Sequence, residues 1–532
     1  MRVRLVIVVP CIAALIATAA AGAGEKADWG KLKGAVQREL GSTDPDVRIE
    51  AVRKLAQADC LDAVKMLVDL IDHPDPALRK AEAERDAYEQ DYYDAARRFE
   101  KLVQQGKGQV AVNDAEERDR VELKWRGLNA MVDALSDLSR EAARGLGGAT
   151  DAEAVAWLVK TAPVEATDRV REALARALGS MVPGDVDVVP ALDKMAQDKR
   201  PRVRTAAIDS LAAKKATQSA GLIAGALEDD AWQVRAAAVE ALGALDQRSS
   251  VGALIARMQN ETGRLREDFE RALGRLTGWA LGPDPKAWKG WWETNQAAWE
   301  AGTLEKKKVD AAAADQGPGQ TVAFFGITTK SKNIVFVLDI SGSMNEPANF
   351  AEEEKVVATG GGSGGGGGGG AYVPKADEKG KKIGIAKGEL HRALGLLPSD
   401  TSFNIIFYST EVKLYSNAMV QASDANKGKA QKYVHEIKAE GGTNIHDALE
   451  KAFNLIRKPE ENFEKGVDTI FFLTDGMPTV GKVVDPTKIQ KLVREWNQTR
   501  RIRIHTIGIG THDRAMMEAL AKENGGNYAA RN

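Results

Sequence analysis

The chain has 532 residues, of which 43% are hydrophobic and 28% are charged, a composition typical of a globular protein with about two to four domains. Its formal net charge of -2 excludes a chain-wide electrostatic attraction to nucleic acid, and no local basic patch dominates the sequence. No nucleic-acid partner is therefore expected.

Residues 1–23 have the pattern of a secretory signal peptide. Arg2 and Arg4 precede an apolar run over residues 5–20, and small residues follow it. The run is short for a membrane span of about 20 residues, although an anchor that is never removed stays open as the alternative. Cleavage would leave no membrane span and one cysteine, Cys60, so no disulfide is expected. We therefore expect export to the periplasm or the extracellular space.

Residues 24–300 are rich in Ala, Leu, Arg and Glu and contain short Asp/Pro turns, which is typical of α-helices. A Val-Arg or Leu-Arg pair recurs at the start of successive helices, with spacings of about 31 to 33 residues. Chance recurrence in an Ala/Arg-rich sequence is the alternative. The fixed period indicates a solenoid of stacked helix pairs. Four such pairs begin at Val170, Val203, Val234 and Leu265.

The segments DPDVRIEAVRKLA, RPRVRTAAIDSLA and DAWQVRAAAVEALGAL resemble HEAT repeats. The resemblance implies that apolar positions stack repeat on repeat and that the concave face binds protein. A charged stretch at about 77–147 interrupts the array and is predicted to form a helical hairpin. The Trp-rich segment 279–299 is predicted to cap the last repeat, with an aromatic platform for carbohydrate or peptide as the alternative. Residues 301–320 are predicted to be a linker.

Residues 321–532 alternate strands and helices. Ile334–Leu338 is an unbroken apolar run, which is typical of a strand buried on both faces of a parallel sheet. Thr469–Leu473 and Ile502–Ile509 are further strands, and a helix at Arg514–Lys522 is predicted to close the chain. The alternation predicts a doubly wound, largely parallel, Rossmann-like α/β domain with helices on both faces of the sheet. A short strand at 321–327 is expected to precede it.

Oxygen-bearing side chains follow the predicted strands at their carboxyl ends. Asp339, Ser341 and Ser343 come directly after the first buried strand, Thr443 precedes a helix, and Asp475 follows the strand at Thr469. Because ligands of open α/β sheets bind at this edge, the five side chains can meet there. Ordinary turn residues are the alternative for each one taken alone. Hydroxyl and carboxylate oxygens suit Mg²⁺, with Ca²⁺ or Mn²⁺ as alternatives, and not zinc.

Together, Asp339-x-Ser341-x-Ser343, Thr443 and Asp475 resemble the metal-ion-dependent adhesion site of von Willebrand factor type A domains. The resemblance implies that Ser341, Ser343 and often Thr443 bind the cation directly, while Asp339 and Asp475 act through water. It also implies an open coordination position for Glu or Asp of a protein partner. We therefore predict a metal-dependent interaction or adhesion module on a helical-repeat scaffold.

The sequence departs from the family pattern at 345–380, where a long insertion separates the first strand from its helix. A glycine run over 360–370, broken only by Ser363, predicts a flexible tether. It lacks the features of a phosphate-binding P-loop. Our hypothesis is that Glu346, or one of Glu352–Glu354, can occupy the open metal position and mask it. An insertion without a regulatory role is the alternative.

An enzymatic role is not predicted. The six histidines show no metal-ligand spacing, although His446 lies three residues after Thr443 and could approach the site. Magnesium-assisted hydrolysis finds no supporting base or nucleophile. Two other roles stay open, an assembly factor for a magnesium-chelatase-like ATPase machine and an envelope scaffold with a vestigial metal site. Predicted export and the missing P-loop weigh against the assembly factor.

Overall fold

The computed structural model describes most of both predicted domains. The described residues are 29–72, 137–307, 322–348, 372–455 and 466–531, apart from isolated positions, with scattered positions between 84 and 128. The predicted signal peptide, most of the hairpin at 77–147, most of the linker and the glycine-rich part of the insertion lie outside them. Within the described residues, no helix has the length and apolar character needed to cross a membrane.

The N-terminal region is built from α-helices and short 3-10 turns, with no strand among its described residues. Residues 137–146 are also helical. The apolar faces of the helices form one continuous core. This confirms the predicted α-helical solenoid. The helices are α1 (Trp29–Leu40), α2 (Pro45–Ala58), α3 (Leu61–Asp72), α4 (Ala152–Thr161), α5 (Asp168–Ser180), α6 (Val189–Met195), α7 (Pro201–Ala213), α8 (Ala220–Gly225), α9 (Trp232–Ala244), α10 (Val251–Met258), α11 (Leu265–Thr277) and α12 (Pro285–Glu300).

The recurring Val-Arg and Leu-Arg pairs join one repeat to the next. Helices α5, α7, α9 and α11, which carry the pairs, pack in series, and the apolar member of each pair is buried. Three successive arginines donate to a carboxylate in the turn before the next of these helices. The Nε-to-oxygen distances are 2.8 Å for Arg171 and Asp198, 2.7 Å for Arg204 and Asp229, and 2.7 Å for Arg235 and Glu261. The spacing of the arginines in the sequence therefore matches the spacing of the repeats, and their ion pairs form a ladder along the solenoid.

Replacing Arg171 by Met is expected to lower the free energy of unfolding by about 3 kcal/mol, because Asp198 would be left as an unpaired buried carboxylate. The Arg171 side chain is only 5% exposed. The measurement is urea denaturation followed by circular dichroism. Arg169→Met, at an exposed position on the same helix, is the matched control and should change stability by no more than about 0.5 kcal/mol. Equal losses in the two variants would contradict the ladder.

Helix α12 covers the end of the helical array. Trp288, Trp291 and Trp299 are buried, and α12 packs against α10. The ring of Trp291 lies 5.8 Å from that of Trp299 and 6.0 Å from that of Trp288. Arg248 lies over the Trp299 ring at 3.6 Å. The tryptophans are thus packed into the solenoid rather than arranged as an open aromatic surface.

The C-terminal region is a seven-stranded, mostly parallel sheet covered by helices on both faces. Its strands are β3 (Asn333–Asp339), β4 (Ser402–Tyr408), β5 (Val412–Leu414), β6 (Val420–Gln421), β7 (Thr469–Thr474), β8 (Arg503–Ile509) and β9 (Tyr528–Arg531), and its helices are α13 (Lys382–Leu396), α14 (Asp424–Glu436), α15 (Ile445–Phe453), α16 (Pro486–Arg500) and α17 (Arg514–Glu523). The strand order is β5-β4-β3-β7-β8-β9, with β6 also paired to β4, and only β5 and β6 are antiparallel. This confirms the predicted doubly wound fold.

The alternation of side chains along β3 divides the core of this domain in two. Phe336 faces α13 and α14, whereas Val335 and Val337 face α15, α16 and α17. Both groups are fully buried, as the unbroken apolar run predicted. The central strand is therefore held from both sides, and its carboxyl end has a fixed position.

Two elements differ from the sequence prediction. The apolar stretch 321–327 is not one strand but a hairpin of β1 (Val322–Phe324) and β2 (Ile327–Thr329). The chain reverses at Phe325 and Gly326, which have φ values of 48° and 81°. The sequence did not predict this turn, because an aromatic residue such as Phe325 rarely adopts a positive φ. A further strand, β9, follows the helix that was predicted to be the last element. The prediction missed β9 because the strand has only four residues, all half-buried, and such a short sequence carries little strand signal.

The solenoid contacts the amino end of β8 through ion pairs of two largely buried arginines. Arg503, the first residue of β8, donates to Asp268 of α11 at 2.8 Å. Arg501 donates to Glu240 of α9 at 2.6 Å, and its carbonyl oxygen accepts from Arg264 at 2.9 Å. Because β8 runs parallel to β7 and β3, this contact lies at the opposite end of the sheet from the carboxyl ends of the strands. The described residues of the solenoid that make these contacts therefore lie away from that other edge.

Candidate metal centre

Strand β3 brings Asp339 to the carboxyl edge of the sheet as a buried carboxylate. Asp339 is 0% exposed and pairs with Tyr408 of β4 in the strand register. Its Oδ1 atom accepts a hydrogen bond from the backbone N–H of Ser341 at 2.7 Å, and Oδ2 accepts from the Thr474 hydroxyl at 2.7 Å. The carboxylate thus sets the direction of the chain that leaves the strand.

The hydroxyls of Ser341 and Ser343 lie at the start of a 3-10 turn that follows β3, where Ser341 is the N-cap residue and Ser343 belongs to the turn. Their Oγ atoms are 3.1 Å apart, and Ser343 donates to Asp475 Oδ1 at 2.8 Å. Asp475 is buried at the end of β7, beside Asp339, because β7 pairs directly with β3. Hydrogen bonds therefore connect four of the five predicted side chains.

Thr443 reaches the same edge on the loop before α15. This loop is tied to the β3 loop, since the N–H of Gly342 donates to the carbonyl of Gly441 at 2.9 Å. Thr443 is buried, and its Oγ1 atom is 3.8 Å from where a Cβ would stand on Gly476, the residue after Asp475. The structure thus brings all five predicted residues to one edge of the sheet.

A buried polar cluster holds the Thr443 loop to the first turn of α15. Asn444 caps the helix by accepting from the N–H of Asp447, and it donates to Asp447 Oδ2 at 2.8 Å. His446 Nδ1 is 2.7 Å from Asp447 Oδ1. Burial raises the pKa of Asp447, but His446 and Lys482 outweigh burial and hold that pKa below its ordinary value. The cluster therefore fixes the start of α15, directly after Thr443.

His446, Asp447 and Glu450 form a second group of side chains of the metal-binding type, with ligand atoms within 4.8 Å of one another. Each is already engaged, since Lys482 donates to Glu450 at 2.6 Å and the His446 ring packs on Trp496 at 5.4 Å. His446 therefore belongs to the packing at the helix start. It is not among the groups that line the five-residue edge.

Lys382, the first residue of α13, places its ammonium group against Asp475. The Nζ atom is 3.0 Å from Asp475 Oδ2 and 2.7 Å from Glu346 Oε2. Burial lowers the pKa of Lys382, but Glu346 and Asp475 outweigh burial and raise that pKa above its ordinary value. Sequence reasoning missed Lys382 because the insertion separates it from the other residues of the site. It also missed Thr474, because a threonine at the end of a strand is an ordinary strand residue and gives no sign of a site.

The carboxylate of Asp339 is electrostatically unfavourable in this position. Burial, together with the nearby charge of Asp475, raises the pKa of Asp339 to about 6, although hydrogen bonds from Ser341 and Thr474 act in the opposite direction. A raised pKa means that the ionised carboxylate is less stable in the folded chain than in the unfolded chain. The positive charge of Lys382 therefore does not fully compensate the two buried carboxylates, Asp339 and Asp475.

We expect Asp339→Asn to raise the free energy of unfolding in metal-free buffer by on the order of 1 kcal/mol, because it removes a buried charge and keeps an acceptor for the Ser341 N–H. Thermal unfolding in the presence of a chelator measures the effect. Asp400→Asn, an exposed aspartate in the same domain, should change stability by no more than about 0.5 kcal/mol. A marked loss of stability in Asp339→Asn would show that the charge is favourable as it stands.

Comparison with protein-family models agrees with this architecture. Residues 382–530 match the model of the von Willebrand factor type A domain. The C-terminal domain is a von Willebrand factor type A domain. The helical region contains HEAT repeats, since 33–85, 128–212 and 221–248 match models of that repeat. The matched part of the type A domain begins at α13, so Asp339, Ser341 and Ser343 precede it.

The type A domain is similar to inter-alpha-trypsin inhibitor heavy chains. Heavy chain H4 of Homo sapiens is 35% identical over 205 residues, which cover 38% of this chain and 18% of that protein. Heavy chain H3 of Mesocricetus auratus is 30% identical over 215 residues, or 39% of this chain and 20% of that protein. The similarity therefore spans about a fifth of those relatives. A solved von Willebrand factor type A protein from Catenulispora acidiphila aligns with a TM-score of 0.27 and 16% identity, covering 39% of this chain and 40% of that one.

The donor set at the edge of the type A domain fits a hard divalent cation. It consists of three hydroxyls and two carboxylates, and it contains no thiolate or imidazole. Burial and the charge of Asp475 raise the pKa of Asp339, and a nearby cation would favour its ionised form. The groups that would hold the cation are Asp339, Ser341, Ser343, Thr443 and Asp475.

Proposed function

We propose that this chain is a metal-dependent protein-binding module, in which the type A domain binds Mg²⁺ and a Glu or Asp of a partner protein completes the metal shell. Ca²⁺ and Mn²⁺ are the alternative cations. The observation that carries the proposal is the meeting of five oxygen-bearing side chains at the carboxyl edge of the sheet. When bound, the cation would supply an electrophilic centre for a carboxylate oxygen.

The surroundings of the five residues favour contact with a large partner. Gly342 and Gly441 are exposed at the rim, and neither carries a side chain that would keep a partner backbone away. Met477, two residues after Asp475, is 52% exposed and supplies apolar surface next to the polar site. A partner that presents an acidic side chain flanked by apolar ones would match this surface.

Hydroxyl ligands also explain why an outside carboxylate would bind. Ser341, Ser343 and Thr443 are neutral, so they leave most of the charge of a bound dication uncompensated. Asp339 and Asp475 are both engaged in hydrogen bonds with protein groups, which hold the serine loop in place. The role we propose is binding and not catalysis, since His446 is engaged with Asp447.

The HEAT repeats serve as the scaffold in this proposal. Their described residues contact the type A domain at the amino end of β8, through Arg501 and Arg503, which is the end of the sheet opposite the five residues. A partner could therefore reach the five-residue edge without displacing the solenoid. We also propose export, which rests on the signal-like pattern of residues 1–23.

Capture of partners by the full chain, with and without chelator, tests the function. Wild type should retain a partner from the exported fraction in magnesium and release it in chelator, and Ser341→Ala should retain none in either buffer. If the partner is retained equally with and without chelator, and equally by wild type and Ser341→Ala, the proposal is contradicted. Cell fractionation tests export, since an uncleaved cytoplasmic chain would favour the assembly-factor alternative.

A further inference from the structure

A buried ammonium group stands between the five-residue edge and the insertion. The Lys382 side chain is 9% exposed, and it bridges Asp475, at 3.0 Å, and Glu346, at 2.7 Å. Asp475 belongs to the proposed metal centre, whereas Glu346 lies in the first residues of the insertion. One lysine thus connects two carboxylates that are far apart in the sequence.

We propose that Lys382 is a resident cation of the metal centre, which neutralises Asp475 when no metal ion is bound and competes with the metal ion for that carboxylate. Glu346 sets the strength of this competition, because it draws the same ammonium group away from Asp475. The inference rests on the proposed metal binding and adds two residues, Lys382 and Glu346, that tune it.

The base of the insertion holds Glu346 in place. Pro347 and Lys381 form a β-bridge, and the N–H of Lys382 donates to the Glu346 carbonyl at 3.1 Å. Further along, Glu378 is anchored by fully buried Lys387 at 2.6 Å. The two ends of the insertion are therefore joined beside the metal centre. Glu346 contacts Lys382, whereas Glu352–Glu354 of the masking hypothesis lie outside the described residues.

Asp475 and Glu346 differ in solvent exposure, and this difference decides which of the two would stay paired with Lys382 when a metal ion binds. Asp475 is buried, while the Glu346 side chain is 62% exposed. An ammonium group and a dication repel each other over a few ångströms, and low solvent exposure strengthens that repulsion. Metal binding is therefore expected to shift Lys382 from Asp475 toward Glu346. The insertion is thereby linked to the occupancy of the site.

Opposite effects of the two residues follow from their opposite charges. Lys382→Met removes the competing cation and should tighten Mn²⁺ binding about tenfold, and Glu346→Gln removes the counter-attraction and should weaken it about threefold. A purely structural role for the pair would weaken binding in both variants, since both disrupt the same contact. The sign of the difference between the variants is therefore the decisive readout.

The experiment is titration of the full chain with MnCl₂, with free Mn²⁺ measured by electron paramagnetic resonance and Mg²⁺ binding measured by calorimetry. Lys379→Met is the matched control, because it removes the same charge from an exposed position of the same segment and should leave the affinity unchanged. If Lys382→Met does not fold, Lys382→Gln carries the same expectation, since its amide can still donate to Asp475.

The possible results separate this inference from the proposed function. Tighter binding by Lys382→Met and weaker binding by Glu346→Gln support it. Binding by wild type that both substitutions leave unchanged, or weaken, overturns the role of Lys382 and leaves the proposed function intact. No Mn²⁺ binding by either wild type or Lys382→Met overturns both.

Discussion

Ser341→Ala is expected to weaken Mg²⁺ binding by the full chain at least about a hundredfold, because it removes a hydroxyl that would bind the cation directly. The loss should not come from unfolding, since Ala fits the extended backbone of Ser341 and the N–H that donates to Asp339 remains. Isothermal calorimetry measures the affinity, and thermal unfolding in chelator checks that the metal-free stability is kept.

The matched control for this prediction is Ser402→Ala. Ser402 is the first residue of β4, at the amino end of the same sheet, and its hydroxyl makes only a long contact of 3.5 Å with Gln421. Its loss should leave Mg²⁺ affinity unchanged. Equal Mg²⁺ affinity of Ser341→Ala and wild type would contradict the proposed metal centre, whatever the affinity of Ser402→Ala.

Arg503→Met is expected to lower the free energy of unfolding by about 1.5 to 3 kcal/mol and to separate the two domains. The Arg503 side chain is 4% exposed and bonds to both Glu267 and Asp268 of the last HEAT-like helix. Removing the guanidinium would leave Glu267 without its arginine partner and take one of the cations from Asp268, which would keep Arg264 at 3.1 Å. Calorimetry measures the stability, and small-angle scattering of the full chain measures the separation as a larger radius of gyration.

Arg494→Met serves as the control for the domain contact. Arg494 pairs with Glu523 inside the type A domain, and its side chain is 58% exposed, so its loss should cost no more than about 1 kcal/mol and leave the radius of gyration unchanged. A compact Arg503→Met variant with wild-type stability would mean that the contact at β8 does not hold the domains together.

The main features of both domains could be predicted from local patterns. The Val-Arg period predicted the solenoid, since burial of Val203 and pairing of Arg204 with a carboxylate recur in the neighbouring repeats, at Val170-Arg171 and Val234-Arg235. The apolar run of β3 predicted a central parallel strand, because a strand covered on both faces has no polar side. The hairpin at Phe325 and strand β9 were missed, since one depends on an unusual φ and the other on pairing with β8.

The candidate residues of the site were also named from the sequence, but their arrangement was not. Asp339, Ser341 and Ser343 are close in the chain, so their grouping follows from local geometry alone. Thr443 and Asp475 join them only because β7 pairs with β3 and the loop at Gly441 is hydrogen-bonded to Gly342. Their proximity is therefore a property of the sheet order.

By itself the sequence determined the donor set of the proposed metal centre, because the choice between hard and soft ligands depends only on side-chain type. The tertiary structure decided what surrounds that centre. It placed the Lys382 ammonium against Asp475, and it placed the solenoid at the opposite end of the sheet. Both outcomes depend on contacts between residues far apart in the chain, which spacing cannot reveal because the distance between such residues is set by the fold.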